Sequence, residues 1–450
     1  MTNRYQLVIR GGTLVTPGGA IVADVGISEG RIAALGDLGA HASAAEVIDA
    51  RGLHVLPGII DAQVHFREPG FPHKEDLASG TTAAVLGGVT AVLEMPNTDP
   101  PTTTAAALAD KLTRARDRAR CDVGFFVGAT PGNAAELAEL EGLPGCAGVK
   151  VFMGSSTGSL LVAEDEALAA VFAHGSRRVA IHAEDEARLI ERKPIATAAA
   201  DVRAHPEWRD AETALRATWR AVALARRFGR RVHVLHVTSA EECELLAAAK
   251  DIATFEIPPQ HLTLAAPDCY VALGTRAQMN PPIRDARHQA ALWASVASGA
   301  CDMLATDHAP HTLEEKARTY PASPSGMPGV QTFLPIMLDH VAAGRLTLAR
   351  LVDLMSAGPA RVWGLAAKGR LAVGFDGDLT LVDLAARRTI RDADMATRCG
   401  WTPFDGREVT GWPVATVVRG HVVMRDGALV GPAVGRPLRF VETLAPIAPP

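Results

Sequence analysis

Five side chains able to bind a metal or move a proton stand in or just past otherwise apolar runs. They are His65 in "IIDAQVHFREPG", Lys150 in "GVKVFMGSS", His182 in "RVAIHAED", His236 in "VHVLHVTS" and Asp307 in "ATDHAPHT". Imidazoles leaving a core at adjacent strand ends can jointly hold a borderline-soft divalent ion such as zinc. A carboxylate beside them can both ligate that ion and carry a proton for the attacking water. A lone histidine near a strand is more often a packing residue, and His54, His174 and His233 are read that way. For His182 or His236 taken alone the two readings are even; the joint placement favours a ligand set.

Around these five, spacing says more. Asp61, Gln63, His65 and Arg67 alternate, so they share one face while the chain stays extended. Two histidines at 63 and 65 would make a simple metal clamp, but the first is a glutamine, which is either a weak oxygen ligand or a hydrogen-bonding amide. Lys150, flanked by Val149, Val151 and Phe152, must snorkel, find an anion or lose its charge. One outcome is a buried ion pair with Asp61 or Asp307. The other is a lowered pKa, and a neutral amine can add carbon dioxide to give a carbamate anion able to bridge two metals. Asn97 in "MPNTDPPT" is placed to hydrogen-bond a polar substrate. Asn280 and Arg284 in "MNPPIR" lie in a proline-fixed loop, and loop structure is at least as good a reading of Arg284. The "ATDHAPHT" segment also offers His308 and His311; His311 points toward substrate, and His308 reads equally well as a functional group or as a supporting or packing residue.

The elements that must position these groups repeat. Strand candidates are Ile59–His65, Val89–Met95, Val123–Val127, Gly148–Met153, Val179–Ala183, Val232–Val237, Ile252–Ile257 and Met303–Asp307, with helical connections such as Ala105–Arg118 and Ala211–Phe228. Eight βα repeats over about 300 residues predict a (β/α)8 barrel, whose functional groups come from the C-terminal ends of different strands. An open doubly wound sheet ranks second, because its glycine-rich dinucleotide fingerprint is absent. Both chain ends carry short β-rich segments with Gly-Gly and Asp-Gly turns, and the two sets are expected to pair into one small sheet domain. The expected boundaries are 1–57 and 367–450 for the small domain and 58–366 for the barrel.

Composition sets the class. The chain has 450 residues, 48% hydrophobic and 21% charged, with a net charge of −5. No basic tract suggests nucleic acid or an acidic membrane surface as a partner. Arg226-Arg227 and Arg230-Arg231 read as solvated helix ends. The six cysteines show no paired spacing, no segment has the apolar length of a membrane span, and "MTNRYQLVIRGG" lacks the apolar core of a signal peptide. A cytoplasmic enzyme acting on a small molecule is the expectation.

In order along the chain, "PGIIDAQVHFREPG", "EMPNTDPPT", "VKVFMGSSTG", "AIHAED", "LHVTS", "MNPPIR" and "ATDHAPHT", with "GRLAVGFDGDLTLVD" near the end, resemble the motifs of the dihydroorotases in the amidohydrolase superfamily. The resemblance covers nearly the whole chain. It implies a distorted (β/α)8 barrel beside a small β-sandwich built from both ends. It implies that His65 and Asp307 hold one metal, that His182 and His236 hold another, and that Lys150 bridges them as its carbamate. One or two zinc ions are the implied cofactors. Arg67, Asn97 and His311 would grip the substrate carboxylate, with Asn280 as a further substrate contact.

Two points depart from a uniform pattern. Gln63 stands where the family has its first histidine, and some members use an aspartate in place of the lysine bridge. The implied reaction is reversible hydrolysis of the ring amide of dihydroorotate to carbamoyl aspartate, in pyrimidine synthesis, with Asp307 carrying the proton. Hydantoinases and allantoinases share the scaffold but act on substrates without the ring carboxylate that Arg67 would meet. A further alternative is a non-catalytic dihydroorotase-like partner of aspartate transcarbamoylase, which Gln63 favours and the retained ligands oppose. The resemblance also implies a homodimer, with a transcarbamoylase association as a further expectation. The loop "TLEEKARTYPASPSGMPG" has the Pro and Gly content of a shaped lid.

Overall fold

The computed structural model describes residues 4–16, 18–39, 42–156 and 160–444; Thr157 and Gly158 of the "VKVFMGSSTG" motif lie outside them, as do both extreme ends of the expected small domain. The chain opens with β1 (Arg4–Thr16), β2 (Gly19–Ser28), β3 (Arg31–Gly36), β4 (Ser43–Asp49) and β5 (His54–Pro57). It then enters β6 (Ile59–Val64), β7 (Val89–Glu94), β8 (Asp122–Gly128) and β9 (Cys146–Phe152). These are followed by β10 (Val179–His182), β11 (Val232–Val234), β12 (Ala253–Ile257) and β13 (Met303–Leu304). The last strands are β14 (Leu379–Thr389), β15 (Glu408–Val418), β16 (His421–Arg425) and β17 (Ala428–Leu429).

Strands β6 to β13 form one eight-stranded sheet in strict sequence order, and every pairing in it is parallel. A doubly wound sheet reverses its order part-way; this one does not. It curls until a parallel bridge between Val64 and His308, with His65 N donating to His308 O at 2.8 Å, joins its two edges. The strands are buried on both faces because helices cover the outside, which explains their unbroken apolar runs. The longest of these helices, Ala211–Phe228, is capped by Asp210, which accepts from Thr213 N. It turns Ala214, Ala217, Ala221 and Ala225 inward and stops at Gly229 with φ 65°. Inside the barrel Trp363 packs edge-on against Phe126 at 4.9 Å and His233 at 5.2 Å.

The chain ends meet in a second sheet of nine strands, where β5 and β14 pair antiparallel with Val55 opposite Leu381. Leu7, Ile9, Val25, Ile27, Leu379 and Val417 share its core, so each end covers apolar surface the other would leave wet. The fold is a (β/α)8 barrel with a small β-sandwich domain. No helix among the described residues is long and apolar enough to cross a membrane.

Three expectations need correction. The ladders of β11 and β13 stop at Val234 and Leu304 rather than running to Val237 and Asp307, because His236 (φ 39°) and Asp307 (φ 47°) adopt left-handed backbone that a strand cannot contain. The helix begun at Ala105 ends at Ala115. Arg230 is not a solvated helix end. It is buried, with Nη2 on Glu141 Oε2 at 2.5 Å and Nε donating to Arg177 O at 2.9 Å.

Candidate active site

The C-terminal ends of the barrel strands surround a cavity lined by Gln63, His65, Arg67, Asn97, Lys150 and His182, together with His236, Asn280, Asp307 and Ser325. Nine of the ten residues proposed for the site therefore lie on one wall system. The exception is His311, which sits behind Arg67 with its Nε2 3.3 Å from Arg67 Nη2 and 3.1 Å from Ser325 O.

At one end of the cavity His65 Nε2 lies 3.0 Å and Gln63 Nε2 3.1 Å from the same atom, Asp307 Oδ1. The other nitrogen of His65 faces Asn97 Oδ1 at 2.7 Å, so Asn97 orients the ring. At the other end His182 Nδ1 and His236 Nε2 point at each other across 3.0 Å. Two ligands of a tetrahedral zinc ion stand about 3.3 Å apart, so this pair is nearly spaced for one ion.

Lys150 lies between the two ends on β9. Its Nζ is buried without a hydrogen-bond partner and sits 4.4 Å from the Phe152 ring centre. The expected alternative, an ion pair with Asp61 or Asp307, is not made. Asp61 instead accepts from Thr306 N at 3.0 Å and Thr306 Oγ1 at 2.5 Å. Burial pushes the Lys150 amine down to about 7, against the pull of Asp307 and Glu256. The lone acceptor Gln63 Oε1 is likewise buried and unpartnered. An orphaned acceptor, Gln63 Oε1, beside convergent imidazoles and a carboxylate is what a bound cation would satisfy, and a lysine amine whose charged form is disfavoured does not repel one, so the residues fit a metal centre.

Arg67, like His236 and Asp307, holds a left-handed backbone, with φ 62°. Such conformations cost about 1–3 kcal/mol each and persist where the surroundings enforce them. Its Nε donates to Pro310 O at 3.2 Å, and burial pushes its pKa down to about 10. Among the described residues it forms no salt bridge.

Supporting residues escaped the sequence reading. Glu184 Oε2 lies 2.9 Å from His182 Nε2 and accepts from Arg209 Nη2 at 2.5 Å; Arg209 Nη2 also donates to Ser155 O at 2.8 Å. The carboxylate keeps the proton on Nε2 and leaves Nδ1 free to ligate. Alternation in "AIHAED" carried this signal, since 182 and 184 share a face; nothing local pointed to Arg209. Arg284 ties loops together, donating to Thr238 Oγ1 at 2.9 Å and Arg209 O at 3.0 Å. His308 accepts from Gly329 N at 3.0 Å and faces Glu75 at 3.4 Å, a supporting role.

The proline-rich loop is pinned rather than loose. Lys316 Nζ donates to Gln278 O, Pro324 O and Gly326 O at 3.0, 2.8 and 3.0 Å, which fixes the strands of loop that carry Asn280 and Ser325. Elsewhere, Asp122, Asp376 and Asp378 form a three-carboxylate group, but Lys368 Nζ already sits among them at 2.6, 3.1 and 2.5 Å. The Lys368 ammonium, with Arg419 on Asp122, offsets the charge of that cluster.

The amidohydrolase family matches residues 54–423. The chain belongs to the amidohydrolase family. This amidohydrolase is 40% identical to a dihydroorotase of Halobacterium salinarum over 86% of its own length and 89% of the relative's. It is 37% identical to an allantoinase of Rubrobacter xylanophilus over 97% and 98%. Among solved structures, L-hydantoinase (dihydropyrimidinase) from Arthrobacter aurescens superposes with a TM-score of 0.91 at 31% identity, covering 96% of this chain and 99% of that one. The protein is thus a hydrolase, and metal-dependent chemistry fits the family.

Proposed function

We propose that this amidohydrolase is a dihydroorotase, opening the ring amide of (S)-dihydroorotate to N-carbamoyl-L-aspartate in a reversible reaction. The observation that carries the reading is Arg67, 2% exposed on the cavity wall and without a carboxylate partner among the described residues. A guanidinium so placed is poorly solvated until an anion joins it. The ring carboxylate of dihydroorotate supplies one; hydantoin and allantoin do not. The dihydroorotase relatives support this choice, while the allantoinase and hydantoinase likenesses define the alternative.

Gln63, His65 and Asp307 would hold one divalent ion and His182 and His236 a zinc ion, with Lys150 between them as its carbamate. Such a pair, when bound, polarises the ring carbonyl and acidifies water. The rest falls to the chain. Arg67 orients the ring by its carboxylate, with His311 and Pro310 O fixing the guanidinium. Asn97 holds the His65 ring. Asp307, on the cavity wall, takes the proton from the water that attacks the ring carbon and returns it to the nitrogen that leaves, so one C–O bond forms as one C–N bond breaks. Lys150, with its amine pushed down to about 7, has a neutral fraction at physiological pH able to add carbon dioxide with loss of a proton.

The test is a parallel assay of the purified chain with dihydroorotate, hydantoin and allantoin, with bound metal measured in the same samples. Dihydroorotate should have the highest kcat/KM by orders of magnitude. A higher value for either uncharged ring would overturn the substrate assignment. A metal-loaded chain that turns over none of the three would favour the non-catalytic partner.

A further inference from the structure

The two ends of the cavity offer a cation different donors. His182 and His236 present two imidazole nitrogens 3.0 Å apart. The other end presents one imidazole nitrogen, from His65, and otherwise oxygen. Asp307 Oδ1 lies within 3.1 Å of both His65 Nε2 and Gln63 Nε2. Gln63 is 1% exposed, lines the cavity, and has an Oε1 with no hydrogen-bond partner. Half a turn of the amide exchanges its N and O ends without moving the rest of the side chain, so an oxygen is available at this corner in either orientation.

We propose that Gln63 is an oxygen ligand that sorts metals, making the Gln63–His65–Asp307 half a hard, exchangeable site open to manganese while the His182–His236 half retains zinc. The inference rests on the two-metal reading above, and it concerns which ion sits where rather than which ring is opened. Zinc outbinds manganese at any N/O site, and the margin is set by the donors. Imidazole nitrogen widens it; a neutral amide oxygen and a carboxylate narrow it. Position 63 is therefore where the margin at this corner is decided.

The test loads the purified full chain with two equivalents of zinc, dialyses it against excess manganese, and counts both metals per chain by elemental analysis. Bound manganese is read independently from its paramagnetic resonance spectrum. Wild type should finish with one zinc and one manganese. Gln63→His should keep two zinc ions under the same dialysis. Gln63→Glu, which retains the oxygen and adds charge, should take up manganese at least as readily as wild type, and it keeps the test alive should the histidine variant fail to fold. Wild type that keeps both zinc ions, loses both or binds no manganese overturns the proposal, as does Gln63→His that exchanges like wild type. Ring opening measured on the same samples separates the two readings. A chain that sorts metals without opening dihydroorotate refutes the substrate alone, and one that opens it with two equally retained zinc ions refutes the sorting alone.

Discussion

Arg67→Met separates a binding residue from a structural one, because the two roles predict opposite signs in two measurements. The folded protein holds this guanidinium buried, and its pKa falls from 12.5 to about 10 with burial as the leading cause. Keeping it charged therefore costs the folded state about 3 kcal/mol. That figure is already net of its favourable surroundings, Asp307, Glu94 and Glu315 among them. Methionine fills the apolar part of the volume and removes the charge, so the unliganded variant should unfold at the same temperature as wild type or somewhat higher. Substrate binding should suffer instead. Losing one partner of a desolvated charge pair costs about 2–5 kcal/mol, or roughly 30- to 5,000-fold in kcat/KM. Thermal unfolding of metal-loaded protein and steady-state kinetics with dihydroorotate read the two effects, and metal content should be unchanged. A variant that melts several degrees lower while keeping its kcat/KM would show that Arg67 serves the fold, and the anionic-substrate argument would fall.

Three further outcomes follow from the same geometry. Lys150→Ala should abolish ring opening and be partly restored by short carboxylic acids that stand in for the carbamate; full activity of the unsupplemented variant would remove the bridge. Glu184→Gln leaves Arg209 buried without its carboxylate and frees the His182 ring, so it should lower stability by about 3 kcal/mol. It should also weaken zinc retention by roughly 10- to 100-fold in chelator competition; a drop in stability with zinc retention intact would reduce Glu184 to a packing role. Asp210, held by Arg188 and by the N-terminus of the Ala211–Phe228 helix, has its carboxyl pushed down to about 2, below the 3.8 it has when free. Its charge thus stabilises the fold fully above pH 4, and that stabilisation is lost as pH falls through 2. Asp210→Asn keeps the cap but not the charge, so its deficit of about 1 kcal/mol at pH 7 should vanish near pH 2; a deficit independent of pH would contradict the assignment.

Local pattern carried most of the architecture. Eight apolar runs, five of them carrying His65, Lys150, His182, His236 or Asp307 in or just past the strand, announced the repeats of a (β/α)8 barrel. Strand ends were less legible, because the left-handed turns at His236 and Asp307 are imposed by neighbours and not by the residues themselves. Arg230 shows the same limit. Beside a helix end it reads as solvated, and only the fold brings Glu141 to it.

The sequence by itself determined which residue types could reach the site, because alternation along a strand fixes which face each side chain takes, and that period is local. Only the tertiary structure decided what each one meets there. Closing the barrel places Val64 beside His308, and this brings Gln63 and His65 onto an aspartate more than two hundred residues away. It decides between the two outcomes open to Lys150 by leaving its amine without an ion pair, and it sets His311 behind Arg67 instead of on the cavity wall. Those outcomes depend on distances between segments remote in sequence, and such distances exist only once packing has removed the chain's freedom to choose others.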